Sequence, residues 1–156
     1  MTLAIGHDEP ERDRTIVDVM LEIEPPFSPE KAVIQFAELL LSYGLRTVIG
    51  DAYAGEWVKD AFARYRIAYL PSKLNKTEIF LNLLPALNSK TILLPDNGKL
   101  VSQLTSLQRR TTGAGREAID HMQNRHDDVA NAAAGCLVHL IRARRMRTLT
   151  QTTTHR

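Results

Sequence analysis

The sequence predicts a mixed α/β layer fold, and three observations carry that expectation. β-branched segments near the start read as a hairpin. Strand-like segments then alternate with amphipathic, helix-like ones. An Ala-rich segment opened by two Asp closes the ordered part of the chain. At 156 residues, 44% hydrophobic and 24% charged, the chain suits one domain with a sizeable core over residues 1–147. A polar, Thr-rich tail follows over 148–156.

The elements follow in order. Thr2 to Gly6 reads as a strand, His7 to Asp13 as a turn around Pro10, and Thr15 to Met20 as the returning strand. Pro25-Pro26-Phe27 breaks the pattern. Ser28 then caps a helix with Pro29 at its first position. Val33, Phe36, Ala37, Leu40 and Leu41 share one face of that helix, and Gly44 ends it. Leu45 to Gly50 reads as a short buried strand. Gly55 to Tyr65 reads as a helix with Trp57, Val58, Ala61 and Phe62 inward, and Ile67 to Leu70 as a strand stopped by Pro71. This β-α-β unit predicts parallel pairing.

A helix starts at Asn75 or Lys76, and Pro85 is expected to kink or divide it. Thr91 to Leu94 is a strand, and Leu100 to Gln108 a helix with Leu100, Leu104 and Leu107 as its buried stripe. Residues 111–125 read as a loop. The last helix begins near Asp127, where Ala-rich sequence follows acids that suit the positive end of a helix dipole.

The bulk numbers exclude little. The net charge of +2 does not by itself argue for a nucleic-acid partner. The basic residues cluster, however: Arg109, Arg110 and Arg116 precede the Asp pair, and Arg142, Arg144, Arg145 and Arg147 crowd the far end. The single cysteine, Cys136, cannot form an internal disulfide and reads as a buried residue. No apolar run is long enough to span a membrane.

Two places carry chemistry. Val48-Ile49-Gly50-Asp51 delivers a carboxylate to the carboxyl end of a strand, where open α/β sheets place their sites. His126-Asp127-Asp128 presents two more at a helix start. Each has a plain alternative, a turn Asp in the first case and a helix cap in the second. Together they suit a hard divalent cation.

The blocks Gly50-Asp51-Ala52-Tyr53-Ala54-Gly55-Glu56-Trp57, Tyr69-Leu70-Pro71-Ser72-Lys73-Leu74-Asn75-Lys76, Gly115 to His121 and His126 to Ala132 resemble, in that order, the nuclease domain of tailed-phage large terminase subunits. The resemblance spans roughly residues 2 to 141. It implies an RNase H-like mixed sheet flanked by helices. It also implies a Mg²⁺- or Mn²⁺-dependent endonuclease that cuts concatemeric double-stranded DNA during genome packaging, in the cytoplasm of a bacterial host, beside other terminase subunits and the portal. Carried over residue by residue, Asp51 matches the acid ending the fourth strand, and Asp127 and Asp128 match the pair opening the last helix, with Asp128 favoured as the closer metal ligand. Asn131 and His126 become further candidate ligands. Lys73, Lys76, Arg109, Arg110 and Arg116 become candidate DNA contacts.

The sequence departs from the family in one respect. Met1 to His7 aligns with the family's second strand, so the first, central strand and its Asp are not matched. No phosphate-binding loop of an ATPase motor is found. The expectation is a partial nuclease domain with two of three acidic corners and weakened metal binding. An inactive prophage remnant that binds DNA or a packaging partner is the alternative. A junction resolvase is a further reading, which the Tyr53-to-Trp57 block argues against.

Overall fold

The computed structural model describes residues 1–52, 55–111, 117–121 and 127–153. In chain order it contains β1 (Thr2–Glu9), a 3₁₀ turn (Pro10–Arg12), β2 (Arg14–Glu22), α1 (Pro29–Ser42) and β3 (Thr47–Gly50). Then come α2 (Glu56–Ala63), β4 (Ala68–Pro71), α3 (Lys76–Asn88), β5 (Ile92–Leu93), α4 (Gly98–Thr105), β6 (Leu107–Thr111), β7 (Glu117–His121) and α5 (Asp128–Thr153). The elements fall into two compact units, Met1 with Leu21–Asn75, and Thr2–Met20 with Lys76–Arg156.

In the first unit, α1 begins at Ser28-Pro29 as its sequence predicts, although the Ser28 side chain makes no capping bond. Ala32, Val33, Phe36, Ala37 and Leu40 form its buried stripe. Gly44 follows with φ +71°, which glycine adopts without the steric cost a side chain brings. The Leu45 amide returns to the Leu40 carbonyl at 2.9 Å. β3 and β4 are parallel, with Thr47 opposite Ala68 and Gly50 opposite Pro71. Proline ends β4 rather than standing outside it. β3 is less buried than its sequence predicts, with Ile49 43% exposed. On α2, Val58, Ala61 and Phe62 are buried, but Trp57 is 46% exposed. Three residues at i, i+3 and i+4 already define the inward stripe. Trp57 falls at its margin, and its ring turns back toward Gly55.

The second unit is built on α5. Val129, Ala130, Ala133, Ala134, Leu137, Val138 and Ile141 are all buried, a stripe repeating every four residues with its neighbour. This face packs on β1, α3 and α4. β1 contributes Leu3 and Ile5, and β2 contributes Thr15 and Val17, at the alternate positions a half-buried strand allows. The approach of α5 to β1 is close. A side-chain carbon on Gly6 would stand 3.1 Å from Cys136 Sγ and would collide with the Ile16 carbonyl. Burial pushes the Cys136 thiol up to about 12, which keeps it protonated and unreactive at neutral pH.

The first sheet has the order β1-β2-β5, with β5 parallel to β2 through Thr15–Ile92 and Ile16–Leu93. The hairpin of β1 and β2 with a parallel third strand makes it mixed. β1 runs three residues beyond the predicted strand end. Its extension carries Asp8, whose side chain accepts a hydrogen bond from the Thr15 hydroxyl at 3.1 Å and pairs with Arg144 at 3.2 Å. Arg144 also reaches Asp13 at 3.0 Å, so the basic end of α5 is tied to the hairpin turn.

Two more expectations are corrected in this unit. Pro85 lies inside α3 without dividing it. It sits in the last turn, where the Ser89 amide still reaches its carbonyl at 3.0 Å. The expected loop after α4 is an antiparallel hairpin, β6 with β7, pairing Leu107 with His121 and Thr111 with Glu117. Leu107 therefore belongs to a strand and not to the α4 stripe. Residues 112–116 and 122–126 lie outside the described residues. The Thr77 hydroxyl of α3 receives the Ile119 amide at 3.1 Å and holds this hairpin to the helix.

On the outer side of the first hairpin, His7 Nδ1 lies 2.8 Å from Asp18, and Nε2 lies 3.7 Å from Glu9. The hydrogen bond to Asp18 raises the His7 pKa above 6.5, against a smaller lowering from desolvation; the charges of Asp18 and Glu9 add to the rise. A raised folded-state value stabilises the fold fully below pH 6.5 and loses that contribution as pH rises through the folded pKa. The ring-proton NMR titration of His7 is expected to centre above 6.5 and to fall back toward it in Asp18→Asn.

Candidate metal and nucleic-acid site

The start of α5 carries the strongest candidate. Asp127 is buried, Asp128 is exposed, and Asn131 stands one turn on. The Asn131 amide donates to the Asp127 carbonyl at 2.7 Å, which closes the first turn of the helix. The Ala130 amide is one of the donors an N-cap side chain ordinarily serves. Here the Gln103 side-chain oxygen accepts it at 2.9 Å. Gln103 is itself buried on α4, three residues after the fully buried Leu100. Sequence reasoning missed this role; the only signal was a polar residue placed on a leucine stripe.

The Asp127 carboxylate pairs with the Lys76 ammonium from the first turn of α3. The Asp127 side chain is 11% exposed and that of Lys76 31%. Lys76, a candidate DNA contact, thus also sets its charge against the buried acid. Asn131 Oδ1 is also buried, and it meets no donor among the described residues. A buried acceptor without a donor costs free energy, and a hard cation satisfies such an oxygen. The donors of this turn are all oxygens, which fits Mg²⁺ or Mn²⁺ rather than a softer ion. Among the described residues, no three acidic, His or Cys side chains converge as a ready cluster.

Replacing Gln103 with Leu is expected to cost about 1–3 kcal/mol, because the buried Ala130 amide then lacks its acceptor. Chemical denaturation of the variant measures the loss.

Asp51 belongs to the first unit and is exposed at the end of β3. The Gly50 carbonyl accepts the Ser72 amide at 2.7 Å. The Asp51 carbonyl accepts the Tyr69 hydroxyl at 2.8 Å. Burial, then the Asp51 charge, raise the Tyr69 phenol above its usual value, so it stays protonated and can donate. Lys73 lies exposed in the segment between β4 and α3, and Arg109 and Arg110 are exposed on β6. His126 and Arg116 lie outside the described residues. A cavity of about 200 Å³ is apolar and lined by α3, α4, β6 and β7 residues such as Phe80, Leu83, Leu104 and Ile119. None of the candidate acids lines it.

Solved structures match this architecture. The large terminase nuclease of thermophilic phage G20c aligns with a TM-score of 0.68 at 16% identity, over 89% of this chain and 81% of that one. The chain has the fold of a phage large terminase nuclease domain. The G20c nuclease solved with bound magnesium gives a TM-score of 0.68 at 15% identity, over 89% and 80% of the two chains. The Thermus phage P74-26 large terminase nuclease domain gives 0.62 at 18% identity, over 86% and 76%. No sequence-family model and no curated protein matches the chain. The terminase nuclease fold is RNase H-like, and its mixed α/β layering accounts for the alternation of strands and helices read from the sequence.

Proposed function

We propose that the chain is the nuclease domain of a phage DNA-packaging terminase, a metal-dependent endonuclease acting on concatemeric double-stranded DNA. The observation that carries this reading is the start of α5. A buried carboxylate and a buried amide oxygen that meets no donor among the described residues stand one turn apart there, in a fold that phage large terminase nucleases share. Bound Mg²⁺ or Mn²⁺ would supply a Lewis acid for the phosphodiester and lower the pKa of an attacking water. The residues that would hold it at the start of α5 are Asp127, Asp128 and Asn131, with His126; Asp51, at the end of β3, is assigned as a further ligand by the family resemblance. Asp127 enters partly desolvated, so its charge acts with little screening.

Lys73, Lys76, Arg109, Arg110 and Arg116 are assigned to the phosphate backbone, which fixes position without reading sequence. Trp57, the single tryptophan, is exposed and makes DNA binding readable by fluorescence. The chain is assigned to the bacterial cytoplasm, as a phage or prophage product, with other terminase subunits and the portal as partners. No described helix is long and apolar enough to cross a membrane.

One observation favours a second reading. The Lys76 ammonium sets a positive charge directly against the Asp127 carboxylate, as an inactive domain that binds DNA or a packaging partner would allow. Incubation of the chain with supercoiled plasmid and Mn²⁺ separates the two. Nicking that is abolished by Asp51→Ala and by Asp127→Ala supports the endonuclease. Nicking that survives both substitutions removes the site assignment. Salt-sensitive DNA binding without nicking supports the second reading.

A further inference from the structure

We propose that Tyr69 is the positioning residue for Asp51, its hydroxyl fixing where the acid at the end of β3 presents its carboxylate to a divalent cation. The inference rests on the proposed role of Asp51 as a cation ligand.

Four features of the first unit converge on it. The Tyr69 hydroxyl donates to the Asp51 carbonyl at 2.8 Å. Gly50 makes room for the ring: a side-chain carbon there would stand 2.7 Å from two ring atoms and would collide with the hydroxyl. Phe62 of α2 stacks on the ring, with centroids 6.0 Å apart and planes 22° from parallel. The register places Tyr69 opposite Val48, so its side chain shares the face of Val48 and Gly50. A tyrosine backed by an aromatic ring and laid over a glycine has few ways to move.

The consequence concerns the acid. Asp51 follows the last residue of β3 and is exposed, so the sheet's own hydrogen bonds stop before it. Gly50 is anchored by the Ser72 amide, and the Tyr69 hydroxyl extends that anchoring by one residue. Groups that orient a metal ligand through a hydrogen bond typically account for 10–100-fold in metal affinity. Here the bond acts through the peptide carbonyl, which fixes the backbone from which the carboxylate projects. Gly50 is thus explained by Tyr69, from another strand, rather than by a turn.

Tyr69→Phe in the full chain tests the proposal. It keeps the ring and the stack on Phe62 and deletes the hydroxyl alone. Mn²⁺ titration followed by electron paramagnetic resonance is expected to show affinity weakened about 10-fold. The Mn²⁺ concentration for half-maximal nicking should rise by a similar factor, while excess Mn²⁺ restores the rate. The melting temperature without metal should stay within a few degrees, which a purely structural role would not allow. Unchanged Mn²⁺ affinity in Tyr69→Phe, with affinity lost in Asp51→Asn, overturns the positioning role alone. Unchanged affinity in Asp51→Asn removes Asp51 from the site, and the proposal with it. A large drop in melting temperature for Tyr69→Phe, with affinity intact in the molecules that remain folded, also overturns it.

Discussion

Asp127→Asn is expected to lower Mn²⁺-dependent nicking by at least about 100-fold, the rate equivalent of roughly 3 kcal/mol. The substitution keeps size and one oxygen and deletes the charge. Among the candidate acids described on α5, Asp127 is the buried one, so its charge is the least screened and the hardest to replace. Asp128, exposed to water, should cost less when changed to Asn. The stability effect of Asp127→Asn should be small, because the Lys76 side chain is 31% exposed and water can take over its charge.

Lys76→Met then separates two roles for the lysine. If the ammonium mainly neutralises Asp127, its loss tightens Mn²⁺ binding. If it holds a phosphate, its loss weakens DNA binding and lowers the salt slope by about one. Nicking retained in Asp127→Asn would place the cation elsewhere.

The candidate acids stand out in the sequence because they break the local pattern. A carboxylate at the end of an apolar strand, and two at the head of an Ala-rich helix, both stand out against their neighbours. The β-α-β unit was legible for the same kind of reason: Gly44 and Pro71 bracket two β-rich runs and a helix between them, and β3 and β4 are parallel as expected. What could not be read depends on partners distant in sequence. Gln103 serves an amide 27 residues away. Tyr69 reaches back 18 residues to Asp51. The β6–β7 hairpin was missed because Gln108, Arg109 and Arg110 lack the alternation of apolar and polar residues that marks a strand buried on one face. Cross-strand pairing and the Thr77 bond set that hairpin instead. Trp57 misled because it adjoins the apolar face of Val58 and Ala61, while the stripe of α2 was already complete without it.

The same logic ranks the stability of the α5 unit. Leu137→Ala is expected to destabilise the protein by about 2–5 kcal/mol, and to lower its melting temperature by about 5–15 °C. Leu137 is fully buried, and several of its neighbours on the stripe are alanines. Alanines cannot swing into the space a leucine leaves, so the cavity should persist rather than collapse. Val101→Ala, on a side chain 53% exposed, should change stability by no more than about 0.5 kcal/mol. Scanning calorimetry of the two variants compares them directly. The difference matters for the site, because α5 carries Asp127 at the same end from which its buried stripe begins. A cavity beneath the helix should let its first turn shift, and metal affinity should then fall along with stability. If Leu137→Ala lost several kcal/mol while Mn²⁺ affinity stayed intact, the first turn would be held by the Gln103 and Lys76 contacts rather than by the stripe beneath it.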